Sequence, residues 1–277
     1  MTNSIISDYK YKTGFALSGG GARGFAHLGA IQALKEHHIT PDIMSGVSAG
    51  ALAGVFIADG YEPAEIMEIF NEMTFREFTE LSLPNHGLFK TSRLEAFVKK
   101  YIKATNFEDL KIPLIVTTAD FDNGVSVNFC EGPLVTPVVA SCSFPIVFSP
   151  TLIDGVQYVD GGLFKNFPVS VIREQCEKVV GINVSPVSTK YTKDTLRGVI
   201  DKCVQFLLDA TTIQDTPLCD LLIKPLEIRK YSIFDVKASK EIYDIGYQAA
   251  LEVLREQKIM EKGNDAVSFK EPLKTDK

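Results

Sequence analysis

Residues 43–56 read IMSGVSAGALAGVF. An apolar run of strand length enters a turn in which two glycines flank Ser48, and a helix follows. Its small residues Ala49, Gly50, Ala51, Ala53 and Gly54 let backbone approach closely. A strand that turns at once into a helix is one βα unit, and the pattern repeats around it. Upstream, GFAL leads through SGGGARG into RGFAHLGAIQALKEH; downstream, IPLIVTTAD, KVVGINVSP and CDLLIKP are further apolar runs of strand length. Strands without a polar face are covered on both sides, so the sequence predicts an α/β fold with a mainly parallel sheet between helices. Such sheets gather their active residues at the carboxyl ends of strands.

The 277 residues, 45% of them hydrophobic, are enough for one large α/β domain with a substantial core. With 23% charged residues and a net charge of -6, the bulk field repels polyanions, which argues against nucleic acid as a partner. The N-terminus carries Asp8 and lacks an apolar h-region, and no run of about 18 apolar residues occurs. The chain therefore reads as soluble and cytoplasmic. Its five cysteines are widely spaced with no C-x-x-C pair, which suits structural thiols and not zinc; Cys203, in LRGVIDKCVQFLL, is expected on a core-facing helical stripe.

Helices are predicted over 62–73, over 91–103 with Ser92 and Glu95 as a capping box, near 194–212 and over 239–257. TLIDGVQYVDGG reads as a hairpin turning on Asp154-Gly155. Between the first two helices lies an irregular stretch with Phe75, Phe78, Leu81, Leu83, Leu88 and Phe89, followed by Lys90, Arg93, Lys99, Lys100 and Lys103. The segment 75–103 has three readings: packing over the core, a lid, or a peripheral membrane contact. The tail 258–277 is polar and expected to fray.

Three elements carry chemistry. Gly46-Val47-Ser48-Ala49-Gly50 is a G-x-S-x-G on a strand-to-helix turn, the setting that exposes a nucleophilic serine, and Cβ atoms at Gly46 and Gly50 would clash there. In VQYVDGG, Asp160 ends an apolar strand, and Gly161 and Gly162 leave room for a close neighbour. A carboxylate is a poor base unless burial raises its pKa, so this reading requires a partly dry pocket. Asp120 is the alternative carboxylate. None of the four histidines follows an apolar strand: His27 reads as a partly buried helix residue, His37 and His38 as exposed, and His86 as a loop residue. In the third element, Gly19, Gly21 and Gly24 fit G-x-G-x-x-G, a dinucleotide fingerprint, yet the same amides suit an oxyanion. Ser48 occupies the end of the second strand, where a ribose-binding acid is wanted, and this favours acyl transfer.

The order GGGARG, GVSAG, DGG, with SCSFPIVFSP before the hairpin and DGGLFKNFPV after it, resembles the patatin-like phospholipase family over about residues 15–170. The resemblance implies a three-layer α/β/α sandwich, with a core over 15–173 that 174–257 completes. It implies a lipid acyl hydrolase of phospholipase A or lysophospholipase type, acting on a lipid or acyl-ester substrate with no cofactor and no metal. Ser48 would be the nucleophile and Asp160 its proton acceptor. The loop Gly19, Gly20, Gly21, Ala22, Arg23, Gly24 would form the oxyanion hole, with Arg23 supporting it. The competing readings are a nucleotide-binding domain using GGGARG and a catalytically silent lipid-binding module.

Overall fold

The computed structural model describes residues 9–71, 80–81, 89–145, 147–187 and 196–267. Strands β1 (Tyr11–Leu17) and β2 (Ile43–Val47) are parallel neighbours; β3 (Glu80–Leu81) and β4 (Phe89–Lys90) form a separate two-stranded ladder. β5 (Leu114–Asp120), β6 (Val125–Phe129), β7 (Thr151–Ile153), β8 (Val156–Asp160), β9 (Cys176–Ile182) and β10 (Leu221–Ile223) complete the main sheet. Its order is β10-β9-β1-β2-β5-β8-β7, with β6 also paired to β5. The run from β10 to β5 is parallel throughout, whereas β6, β8 and β7 are antiparallel additions beyond β5. The sheet is thus mainly parallel, as its uninterrupted apolar strands predict. Asp154 (φ 49°) and Gly155 (φ 83°) make the expected tight turn between β7 and β8.

Alternate residues of each strand serve different cores. Phe15, Leu17, Met44, Leu114, Val116, Val180 and Ile182 face a large core built with α1 (Phe25–Glu36), α2 (Ala49–Asp59), α3 (Pro63–Asn71), α4 (Ser92–Tyr101) and α5 (Val135–Ser141). Ala16, Ile43, Ile115 and Val179 face a smaller one with Phe167, Val169 and α6 (Ser170–Arg173). Helices therefore cover both faces, but unequally. The stripe expected on 91–103 is packed: Phe97 of α4 lies 5.8 Å from Phe56 of α2 and 5.2 Å from Phe70 of α3, ring centre to ring centre. Residues 75–79 and 82–88 of the 75–103 segment lie outside the described residues, so its lid and membrane readings stay with the sequence.

Three local expectations are corrected. Thr91, not Ser92, holds the cap position of α4, where Glu95 N donates to Thr91 O; the Glu95 carboxylate pairs with Lys99 at 2.6 Å instead of closing a capping box. Cys203 of α7 (Leu196–Ala210) is exposed, as are Val199, Phe206 and Leu207, because α7 turns Gln205 and Leu208 inward and presents its other apolar stripe to solvent. α8 (Ser239–Val267) continues past the expected end at 257, through a stretch of good helix formers, Glu256 to Lys262.

Candidate active site

β2 ends at Val47 and α2 begins at Ala49, so Ser48 alone makes the corner, at φ 52° and ψ −123°. A non-glycine residue there carries about 1–3 kcal/mol of strain and persists only where its surroundings fix it. They do. Ser48 N donates to Ser141 Oγ at 2.8 Å, Ser141 Oγ donates to Thr117 O at 2.7 Å, and the Cys142 thiol donates to Ser48 O at 3.4 Å. The corner also needs its glycines: a Cβ on Gly46 would lie 2.6 Å from Gly50 O, and one on Gly50 2.6 Å from Ser18 O.

Asp160 reaches Ser48 by register. β8 runs antiparallel, so the rule about carboxyl ends of parallel strands does not place it. Instead Asp160 sits opposite Thr118 on β5, one residue from Thr117, which is opposite Val47 on β2. Asp160 is 3% exposed; its carboxylate accepts a hydrogen bond from Gly162 N at 2.8 Å and lies beside the Ser48 side chain. Burial pushes its pKa up to about 7, against the lowering effect of the Ser48 hydroxyl and of Gly162 N. Asp120, the alternative carboxylate, is engaged elsewhere. It caps its own turn, accepting from Asp122 N, Asn123 N and Asn123 Nδ2, and these bonds hold its pKa below the usual range.

No described histidine competes. His27 is fully buried, not partly: its Nε2 lies 2.8 Å from Ser18 O, and burial lowers its pKa to about 4. It is a neutral strut at the end of β1. His37 bonds Ala33 O at the far end of α1, His38 is exposed at φ 60°, and His86 lies outside the described residues.

The glycine loop is a single 3-10 turn, Gly21–Gly24, leading into α1. The structure divides the expected donor set. Gly19 N is bonded to Asn166 O at 3.1 Å, Ala22 N to Ile233 O at 2.8 Å and Arg23 N to Gly20 O at 3.2 Å, whereas the amides of Gly20 and Gly21 donate to no described group. Gly21, at φ 56°, carries no Cβ that would collide with Ile233 O, and Gly24 packs on Ala49. Arg23, 2% exposed, supports the loop from behind: Nε and Nη2 donate to Tyr231 O at 3.0 and 2.7 Å, and Nη1 to Pro186 O at 3.1 Å.

Gly20, Gly21, Ser48 and Asp160 line one cavity of about 210 Å³. Its walls are apolar, with Leu52, Ile66, Phe70 and Leu94 from α2 to α4 and Ile233 and Phe234 from the segment that Arg23 holds. No cationic side chain is among its described lining residues. The sequence reading did not single out Ser141, Ile233, Phe234 or a role for Asn166. Only Asn166 and the SCSFP stretch carried a signal, as part of the family pattern.

Residues 15–172 match the model of a family described as patatin-like phospholipase. An uncharacterized protein, R571, of Acanthamoeba polyphaga mimivirus is 29% identical over 206 residues, 66% of this chain and 69% of that one. An uncharacterized NTE family protein of Mycobacterium tuberculosis is 32% identical over 163 residues, which are 58% of this chain but only 45% of the mycobacterial protein. Among solved structures, VipD from Legionella pneumophila superposes with a TM-score of 0.60 over 89% of this chain and 67% of its own, at 14% identity, a likeness of fold.

Proposed function

This chain belongs to the patatin-like phospholipase family, and from that premise we propose that it is a serine hydrolase of lipid acyl esters, of phospholipase A or lysophospholipase type. One observation carries the reading: Asp160 is a buried carboxylate, its pKa raised to about 7, beside the Ser48 hydroxyl in the lining of one apolar cavity. A carboxylate of that pKa is matched to neutral pH as a base. Ser48 Oγ attacks the ester carbonyl carbon as its proton passes to Asp160. The amides of Gly20 and Gly21 hold the resulting oxyanion, and collapse expels the alcohol, which takes the proton from Asp160. Water then attacks the acyl-Ser48, gives its proton to Asp160, and Ser48 leaves with that proton as the carboxylic acid departs. The apolar walls suit an acyl chain, and the position at the end of β2 where a dinucleotide site wants a ribose-binding acid is held by Ser48.

The test is covalent labelling of Ser48 by a fluorophosphonate together with hydrolysis of a p-nitrophenyl ester. Both are expected in the wild type and absent from Ser48→Ala. Hydrolysis by Ser48→Ala at the wild-type rate refutes the proposal.

A further inference from the structure

Asn166 stands out among the buried polar groups. It is 1% exposed and lines the same cavity as Ser48 and Asp160, yet its Nδ2 has no hydrogen-bond partner among the described residues. A buried donor left unpaired costs about 1–3 kcal/mol, a cost that water, strain or a functional role has to account for, and of the unpaired described groups Asn166 Nδ2 belongs to a residue that lines the cavity.

The residue itself is rigidly held. Its backbone N donates to Thr211 Oγ1 at 3.2 Å, and its carbonyl accepts from Gly19 N at 3.1 Å, which ties it to the glycine loop. The carboxamide packs where no side chain intervenes. A Cβ on Gly19 would run into Asn166 Oδ1 and stand 3.3 Å from Ser48 Cβ; one on Gly162 would stand 2.9 Å from Asn166 Oδ1 and 3.0 Å from Asp160 Oδ1. The Oδ1 end of the side-chain amide is thus seated against Gly19 and Gly162, next to Ser48 and Asp160, and the unpaired Nδ2 is its other end.

We propose that Asn166 Nδ2 is a third donor to the ester carbonyl oxygen, joining Gly20 N and Gly21 N as that oxygen becomes the tetrahedral oxyanion. The assignment rests on the acyl-hydrolase reading of the site. It explains why Ala22 N, the next amide of the loop, is committed to Ile233 O: a side-chain amide supplies the further donor. Side-chain carboxamides serve this role in acyl-transfer sites because a fixed dipole needs no reorganisation as charge develops.

Steady-state hydrolysis of p-nitrophenyl esters by the wild type, Asn166→Ala and Asn166→Asp tests it, with thermal unfolding to verify folding. A folded Asn166→Ala is expected to lose about 100-fold in kcat with KM changed less than threefold, and to be phosphonylated correspondingly slowly. Asn166→Asp, nearly isosteric, is expected to lose more, because it replaces the donor with a second carboxylate. A kcat within twofold of wild type in either folded variant overturns the assignment. So does an acid limb that moves along the pH axis while the plateau kcat stays intact, since that places the side chain in the service of Asp160. If neither variant folds, the crystal structure of wild-type Ser48 phosphonate decides: Nδ2 within about 3.2 Å of the phosphonyl oxygen supports the proposal, and a longer separation overturns it. A wild type that hydrolyses no ester removes the underlying reading, an outcome distinct from an active wild type indifferent to Asn166.

Discussion

Replacing Asp160 by Asn removes the proposed base and at the same time stabilises the fold by an amount that depends on pH. The folded-state pKa of Asp160 is raised from 3.8 to about 7, with burial as the main cause. Below pH 3.8 the residue is protonated in both states. Between 3.8 and about 7 the folded chain keeps a proton that the unfolded chain has released, so stability falls as pH rises. Above 7 the loss is complete, at about 4 kcal/mol from 1.36 kcal/mol per pKa unit, an order-of-magnitude figure. Asn carries no such ionisation, keeps the shape, and presents an oxygen to Gly162 N. From pH 5 to pH 8.5 the stability advantage of Asp160→Asn over wild type should therefore grow by roughly 3 kcal/mol. For a domain of this size that is roughly 5–10 °C in Tm. His27 acts in the opposite sense, its lowered pKa making stability rise with pH between about 4 and 6.5, but it is common to both proteins and cancels in the difference. Scanning calorimetry of the pair at the two pH values reads the quantity directly. An advantage that is equal at both, or larger at pH 5, refutes the claim that Asp160 is buried at the expense of its charge.

Two further predictions address the nucleophile corner and the acyl cavity. Ser48→Gly should be more stable than Ser48→Ala by about 1 kcal/mol, because glycine accepts φ 52° without strain whereas alanine keeps it; urea unfolding of the two inactive proteins checks the order, and a more stable Ser48→Ala contradicts it. Ala53→Leu, at a buried lining position on α2, should narrow the cavity and lower kcat/KM for a p-nitrophenyl palmitate about tenfold relative to the butyrate; an unchanged ratio places the acyl chain elsewhere.

The legible parts of this molecule are those set by local rules. Ser48 stands out because a sharp strand-to-helix corner demands small neighbours at both ends, and Gly46 and Gly50 do sit where a Cβ would strike backbone. The parallel strands announce themselves by lacking a polar face, and the β7–β8 turn by Asp154-Gly155. Asp160 was reached by a weaker argument. A rule for parallel strands pointed to it, yet β8 is antiparallel, and only its register against β5 brings the carboxylate to Ser48. The outward face of α7 misled because two apolar stripes share that helix, and periodicity alone does not say which one packs.

What escaped the sequence is long-range. Which glycine-loop amides remain available depends on Ile233 and Asn166, residues far along the chain whose carbonyls take Ala22 N and Gly19 N. Arg23 reaches the same distant segment through Tyr231 O, so the arginine of the first loop anchors the wall that Ile233 and Phe234 contribute to the cavity. The family pattern ends at residue 172, before that wall begins. The G-x-S-x-G corner and the glycine loop therefore supply the proposed reaction chemistry, while the space an acyl chain would occupy is walled by α2 to α4 within the shared pattern and closed by Leu208, Ile233, Phe234 and Val236 beyond it. On this geometry, differences in substrate preference among relatives with the same Ser and Asp should follow residues 231–236 more closely than the motifs.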